Sequence, residues 1–200
     1  MYFQWFQQEP QFQMLDFLNM NENFTITIFT ENSIGLLNRI TSIFTRRHLN
    51  ILSLNTSESQ LKGIYRFTIV VNTDIDQVKK LVLQIEKQVE VLQAVFHTNQ
   101  ETVYQEIALY KVSTEKASEH NIVERLIRDN NARILSMEQD FMIIEKTGHK
   151  SDTQELLEFL RPFGLVDFVR SGRVSVLKPD KELNELKLKI KRAKAQTEAE

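Results

Sequence analysis

The feature that most constrains this chain is the order in which its apolar residues change period, because that order comes twice. Phe24, Ile26 and Ile28 alternate with Thr25 and Thr27, the period of a strand with one buried face. Leu37, Ile40 and Phe44 then recur at helical spacing, with Leu36 and Ile43 beside them. Arg46 and Arg47 close that run, where cations suit the negative end of a helix dipole. Residues 51–56 and 64–71 read as strands, joined through 57–63, whose polar residues and Gly63 suit a hairpin. Thr73 and Asp76 have capping-box spacing ahead of an apolar stripe of Ile75, Val78, Val82, Ile85 and Val89. A strand over 91–96 completes the order βαββαβ.

The second pass runs strand 106–112, helix 119–128, strands 133–137 and 141–146, helix 152–160 and strand 165–177. Pro162 and Gly164 stop its second helix, since proline cannot continue the ladder and glycine takes the left-handed turn. The fold class is therefore α+β: two tandem ferredoxin-like βαββαβ units, over 24–99 and 103–178, on a short polar join. Residues 1–23, rich in Gln and Phe and without a positive charge, read as an extension. Met14 or Met20 is the expected true start. Residues 179–200 mix Lys and Glu with Leu183, Leu186 and Ile190 at helical spacing, which predicts a charged surface helix that frays toward its end.

Composition narrows the function classes. With no cysteine there is no disulfide framework, thiolate metal site or thiol nucleophile, and a reducing, cytoplasmic setting is expected. A net charge of -2 gives no global attraction to nucleic acid or to anionic membranes. The longest apolar runs fall far short of the roughly 20 residues that cross a bilayer. The four histidines, His48, His97, His120 and His149, lack metal-ligand spacing, and the five glycines form no phosphate or dinucleotide cradle. Asp74 and Asp76 sit where a helix N-terminus attracts acids anyway. No catalytic residue and no metal ligand is expected on this chain.

One segment has the makings of a site: 30–37, which joins the first strand to the first helix. Unpaired amides and the helix dipole stabilise a carboxylate there by roughly 0.3–1 kcal/mol, about 2 if partly buried. Gly35 falls in the first turn, where it costs on the order of 1 kcal/mol against alanine. Either a ligand approaches the backbone closely there, or Asn32 or Ser33 caps the helix and Gly35 gives room to a neighbouring strand.

Glu31-Asn32, Gly35-Leu36-Leu37-Asn38-Arg39-Ile40, Phe44-Thr45-Arg46-Arg47 and Asn50-Ile51 together resemble the opening of the ACT domain in the small, regulatory subunit of acetolactate synthase (acetohydroxyacid synthase). Tyr65-Arg66-Phe67-Thr68-Ile69, Glu106-Ile107-Ala108-Leu109, Thr147-Gly148, Leu160-Arg161-Pro162-Phe163-Gly164 and Val169-Arg170-Ser171-Gly172 extend the resemblance in order to residue 178. It implies an ACT domain followed by an ACT-like C-terminal domain. It further implies a homodimer through the ACT domains, with valine or a related branched-chain amino acid bound between subunits. The partner is the large catalytic subunit, which is activated and made sensitive to feedback inhibition; thiamine diphosphate, Mg and FAD belong to that partner. On these residues, Asn32 and Gly35 with the backbone near Leu36 and Leu37 hold the ligand carboxylate. Asn50 and Ile51 of the neighbouring subunit hold its polar end and side chain.

Burying one aliphatic side chain gives roughly 1.5–3 kcal/mol and each charged hydrogen bond about as much, against an association cost of at least ~4 kcal/mol. Affinity in the micromolar to millimolar range follows, roughly, with discrimination of about 10–200-fold per methylene. Two positions depart from the family: His48 stands where a glycine is common, and Ile34 where a small or polar residue is. A freestanding amino-acid sensor with another partner is the alternative, although no helix-turn-helix pattern flanks the repeats. RNA recognition fails on the third strand, where Ile64 and Tyr65 occupy the stacking and small-residue positions.

Overall fold

The computed structural model describes residues 21–118 and 122–178, together with Asn184 and Leu188. The expected N-terminal extension and C-terminal helix therefore lie almost wholly outside the described residues. Within them the chain divides between Thr102 and Val103, and Leu177 and Lys178 return to the first unit.

In the first unit β1 (Glu22–Glu31), α1 (Leu36–Arg46), β2 (Ile51–Glu58), β3 (Ile64–Thr73), α2 (Ile75–Ile85) and β4 (Val91–Thr98) follow in sequence. The sheet order is β2-β3-β1-β4, with β1 pairing antiparallel to both neighbours and β2 left at an edge. Phe24, Ile26 and Ile28 of β1 are fully buried and meet Phe67, Ile69, Val71, Leu36, Ile40, Phe44, Val78, Leu81 and Ile85 in one core. Each such side chain contributes roughly 1.5–3 kcal/mol, which is what fixes the helices on this face. β1 starts two residues earlier than the alternation alone placed it, and Asn72 there donates its Nδ2 to Asn23 Oδ1 at 2.9 Å.

Two details differ from the sequence pattern. α2 is capped by Asp74, whose Oδ1 accepts from the Gln77 amide at 2.8 Å; Thr73 is consumed as the last, buried residue of β3. The apolar stripe also stops short: α2 ends at Ile85, and Val89 is 95% exposed in the turn before β4. At the end of α1, the His48 amide donates to Thr45 O and the Leu49 amide to Phe44 O, with His48 at φ 55. That pairing is the Schellman stop, and Leu49 packs on the core as its apolar lock.

In the second unit β5 (Thr102–Ser113) is followed by a short α3 (Thr114–Ser118), which the sequence pattern does not give, and by α4 (Ile122–Asp129), which coincides with the helix expected over 119–128 to within a residue at its end; residues 119–121 lie outside the described residues. β6 (Arg133–Met137), β7 (Phe141–Gly148), α5 (Lys150–Leu160), a 3-10 turn (Arg161–Phe163), β8 (Leu165–Arg170) and β9 (Val174–Leu177) complete it. The sheet order is β6-β7-β5-β8, and β9 also pairs with β5. Its core gathers Ala108, Tyr110, Val112, Val123, Ile144, Leu156 and Leu160. The strand expected over 165–177 is broken because Ser171 enters the ladder itself: its Oγ accepts from the Ile107 amide at 2.9 Å and its amide donates to Ile107 O at 2.8 Å. At the start of α5 burial pushes the Asp152 carboxyl up, but the His149 amide and the Ser151 hydroxyl outweigh it and hold the group below its ordinary range.

Candidate functional site

The chain leaves β1 at Glu31 and enters α1 through Gly35, which is the N-cap residue itself and not a member of the first turn. Its φ of 80 and ψ of -2 are left-handed, the region only glycine visits freely. A Cβ on Gly35 would meet nothing closer than the Arg39 guanidinium at 4.0 Å, so conformation and not crowding selects glycine here. No side chain caps the helix, which disposes of Asn32 or Ser33 as the cap.

Capping falls to the backbone instead. The Leu36 amide donates to Ser33 O at 3.2 Å and the Arg39 amide to Gly35 O at 3.1 Å. The amides of Leu37 and Asn38 have no acceptor among the described residues, and the first turn holds no acid. Two outward donors at the positive end of an 11-residue helix remain. Leu36 is 2% exposed and belongs to the core, whereas Leu37 is 44% exposed and Ile34, at the loop tip, wholly so.

Arg39 is the site residue that sequence reasoning missed. One turn beyond Gly35, it pairs with Glu90 and lies 3.5 Å from Ser33 Oγ, while the Glu31 amide donates to Glu90 O at 3.0 Å. Both flanks of the loop are thus tied to the turn before β4. The i, i+4 spacing of Gly35 and Arg39 was a visible signal; Glu90, fifty-one residues away, offered none.

Asn50 and Ile51 stand elsewhere. Ile51 pairs with Val71, which pairs with Phe24 at the start of β1, whereas Glu31 pairs with Ile64 at the other end. From Phe24 to Glu31 the strand runs about 23 Å at ~3.3 Å per residue. One copy of the chain therefore brings Asn32, Gly35, Leu36 and Leu37 together but not Asn50 and Ile51. His48 sits with the latter pair, exposed in its left-handed turn. Among the described residues no group of three His, Cys, Asp or Glu could hold a metal ion.

A βαββαβ unit with an open, glycine-capped helix end is an ACT-type regulatory frame, and residues 26–93 match the family model described as the AHAS small subunit-like ACT domain. Residues 105–179 match the model for the small subunit of acetolactate synthase. The chain belongs to the acetolactate synthase small-subunit family, the regulatory component of an enzyme of branched-chain amino acid biosynthesis whose cofactors reside on its catalytic subunit. It is 34% identical to the acetolactate synthase small subunit of Bacillus subtilis (strain 168) over 148 residues, 74% of this chain and 86% of that protein. It is 30% identical to the probable acetolactate synthase small subunit of Archaeoglobus fulgidus, across 79% of this chain and 98% of that one. The crystal structure of the Thermotoga maritima small subunit superposes with a TM-score of 0.73 at 23% identity, covering 80% of this chain and 99% of that one, a likeness of fold.

Proposed function

We propose that this chain activates the catalytic subunit of acetolactate synthase and makes it sensitive to a branched-chain amino acid, valine foremost, bound between two copies. It contributes no catalytic residue and works in the cytoplasm as a homodimer through residues 24–99, with residues 103–178 as the second domain. The observation that carries this reading is the pair of open amides on Leu37 and Asn38 beside the left-handed Gly35. A carboxylate placed there accepts two charge-assisted hydrogen bonds at the positive end of a dipole.

The other half of the ligand calls for a second copy. Among the described residues β2 is an edge strand, with β3 on one side and no strand on the other. Antiparallel pairing of two β2 strands about a two-fold axis sets the Asn50 end of one copy at the sheet end that carries the other copy's Gly35 loop. Asn32 and Gly35 with the Leu36–Leu37 backbone then face Asn50 and Ile51 across the axis. Ligand binding and dimerisation become one event.

Reconstitution with the purified catalytic subunit tests the reading. Acetolactate formation rises on mixing, and titrated valine, leucine or isoleucine lowers it again. Gly35→Asp sets a carboxylate in the socket and Asn50→Ala removes the polar contact; each weakens inhibition about tenfold or more while activation persists. Absence of both co-elution and activation refutes the function, and unaltered inhibition in the two variants refutes the site.

A further inference from the structure

The outward surface of the first unit's helix layer carries a charge opposite to that of the chain. The chain as a whole is at -2, yet α1 contains no acid and α2 only Asp76, at its N-terminus. Between these helices lie two adjoining hollows, of about 490 and 330 Å3, that share Gln84. Arg47, Lys80, Leu83 and Lys87 line the larger; the smaller continues past Gln84 to Arg46 and Arg39. Among the described residues no carboxylate lines either one.

The cations are presented, not neutralised. Among the described residues Arg46, Arg47, Lys80 and Lys87 form no ion pair, and Arg39 alone is matched, by Glu90. Glu86, the other nearby acid, accepts from the Ala94 amide. Arg47 is held in place: its Nε donates to Gln84 Oε1 at 2.7 Å and its guanidinium reaches Lys80 O at 3.3 Å. In the midst of this charge, Leu83 is 61% exposed, three residues after Lys80 and four before Lys87.

We propose that this groove docks the catalytic subunit, through an acidic segment that seats one aliphatic side chain on Leu83; the proposal rests on the function assigned above. A polyphosphate or nucleic acid has no use for a central exposed leucine, whereas basic residues around an apolar anchor match a protein segment of opposite charge. The placement also supplies a route for regulation. α1 carries the open amides at its N-terminus and, one turn apart, Asn38, Ser42 and Arg46 along the groove. A stiff helix of 11 residues, about 16 Å long, joins the effector end to the docking face. A carboxylate that draws on the Leu37 and Asn38 amides moves the groove wall.

The test uses the full chain with the catalytic subunit. Lys80→Glu/Lys87→Glu weakens their association about tenfold or more and flattens its salt dependence. Lys62→Glu/Lys150→Glu, equal in charge change but placed on the β2–β3 hairpin and on α5, leaves it within about twofold. Because the chain has no cysteine, Leu83→Cys gives a unique thiol for a photo-crosslinker, and the captured peptide of the catalytic subunit is rich in Asp and Glu. If the wild-type chain fails to bind the catalytic subunit, this proposal falls together with the assigned function. If it binds and the groove variant binds equally, or the crosslink lands on a peptide without carboxylates, the groove alone is overturned. RNA binding abolished by the groove variant with synthase binding intact overturns it in favour of a nucleic-acid surface.

Discussion

The two units share a topology and each owns a left-handed glycine beside its first helix, but they use it in opposite ways. In the first, Gly35 opens α1 with free space where a Cβ would stand. In the second, β5 passes directly into α3 with no intervening loop, and the Thr114 amide donates to Asp140 O at 3.1 Å. The glycine there, Gly164, lies under that junction: a Cβ would stand 2.8 Å from Lys116 Cδ and 3.3 Å from Ser113 Cβ, and its carbonyl accepts from the Ser113 amide. One glycine leaves a vacant helix end; the other lets two segments close over it. The proposed effector site therefore rests on one loop and not on the βαββαβ frame.

Substitution at these glycines separates the two roles and carries the largest expected effect on stability. Gly164→Ala combines a left-handed backbone at φ 82 with contact inside van der Waals distance, so a loss of about 3 kcal/mol is expected in urea unfolding of the full chain. Gly35→Ala meets only the conformational part, about 1–2 kcal/mol, yet it loses more effector affinity because the turn that exposes the amides must move. Equal costs at the two positions would break the comparison.

Next in size is a pH effect confined to the second unit. Tyr110 is fully buried, donates its hydroxyl to Thr153 O at 2.6 Å, and burial pushes its pKa up to about 12. The neutral phenol is the form the fold favours, so its contribution is complete below the unfolded value near 10 and disappears as pH rises toward 12. Unfolding followed between pH 9 and 12 should lose stability on the order of 2 kcal/mol from this group. Tyr110→Phe removes that slope and costs about 1–2 kcal/mol at neutral pH, where Thr153 O loses its donor. A slope that survives in Tyr110→Phe assigns the titration to another group.

How much was legible in the sequence follows from the range of each interaction. The alternation of Phe24, Ile26 and Ile28 and the stripe of Leu37, Ile40 and Phe44 are local periods that located the strand and the helix, but the face of α1 was misplaced by one residue: Leu36, Ile40, Ile43 and Phe44 are buried and Leu37 is exposed. Caps were legible only to within a residue, since Thr73 and Asp74 are both competent and burial of Thr73 in β3 decided between them. The break between β8 and β9 depends on Ser171 pairing with Ile107, sixty-four residues away, and the Arg39–Glu90 tie spans fifty-one. Periodicity carries no trace of either. At the site, Gly35 and its neighbours were readable as a loop; the resemblance already assigned Asn50 and Ile51 to a neighbouring subunit, and strand register gives their separation from that loop within one copy.

The smallest expected effect sharpens the comparison at the other ends of the first helices. α1 and α4 stop alike: Leu49 donates to Phe44 O after His48 at φ 55, and Ala132 donates to Ile127 O after Asn131 at φ 51. Asparagine tolerates the left-handed turn because its short amide bonds locally; histidine tolerates it less. His48→Gly should therefore stabilise the chain by about 0.5–1 kcal/mol, and Asn131→Gly by less than half of that, because relieved strain is partly offset by added freedom in the unfolded chain. Paired thermal unfolding curves of the two variants measure the difference. His48 is also two residues from Asn50, so the same His48→Gly protein reports whether the imidazole takes part in sensing. A stability gain with unchanged effector inhibition from pH 6 to 8 makes His48 a helix stop alone, and an altered pH profile makes it part of the ligand's polar surroundings.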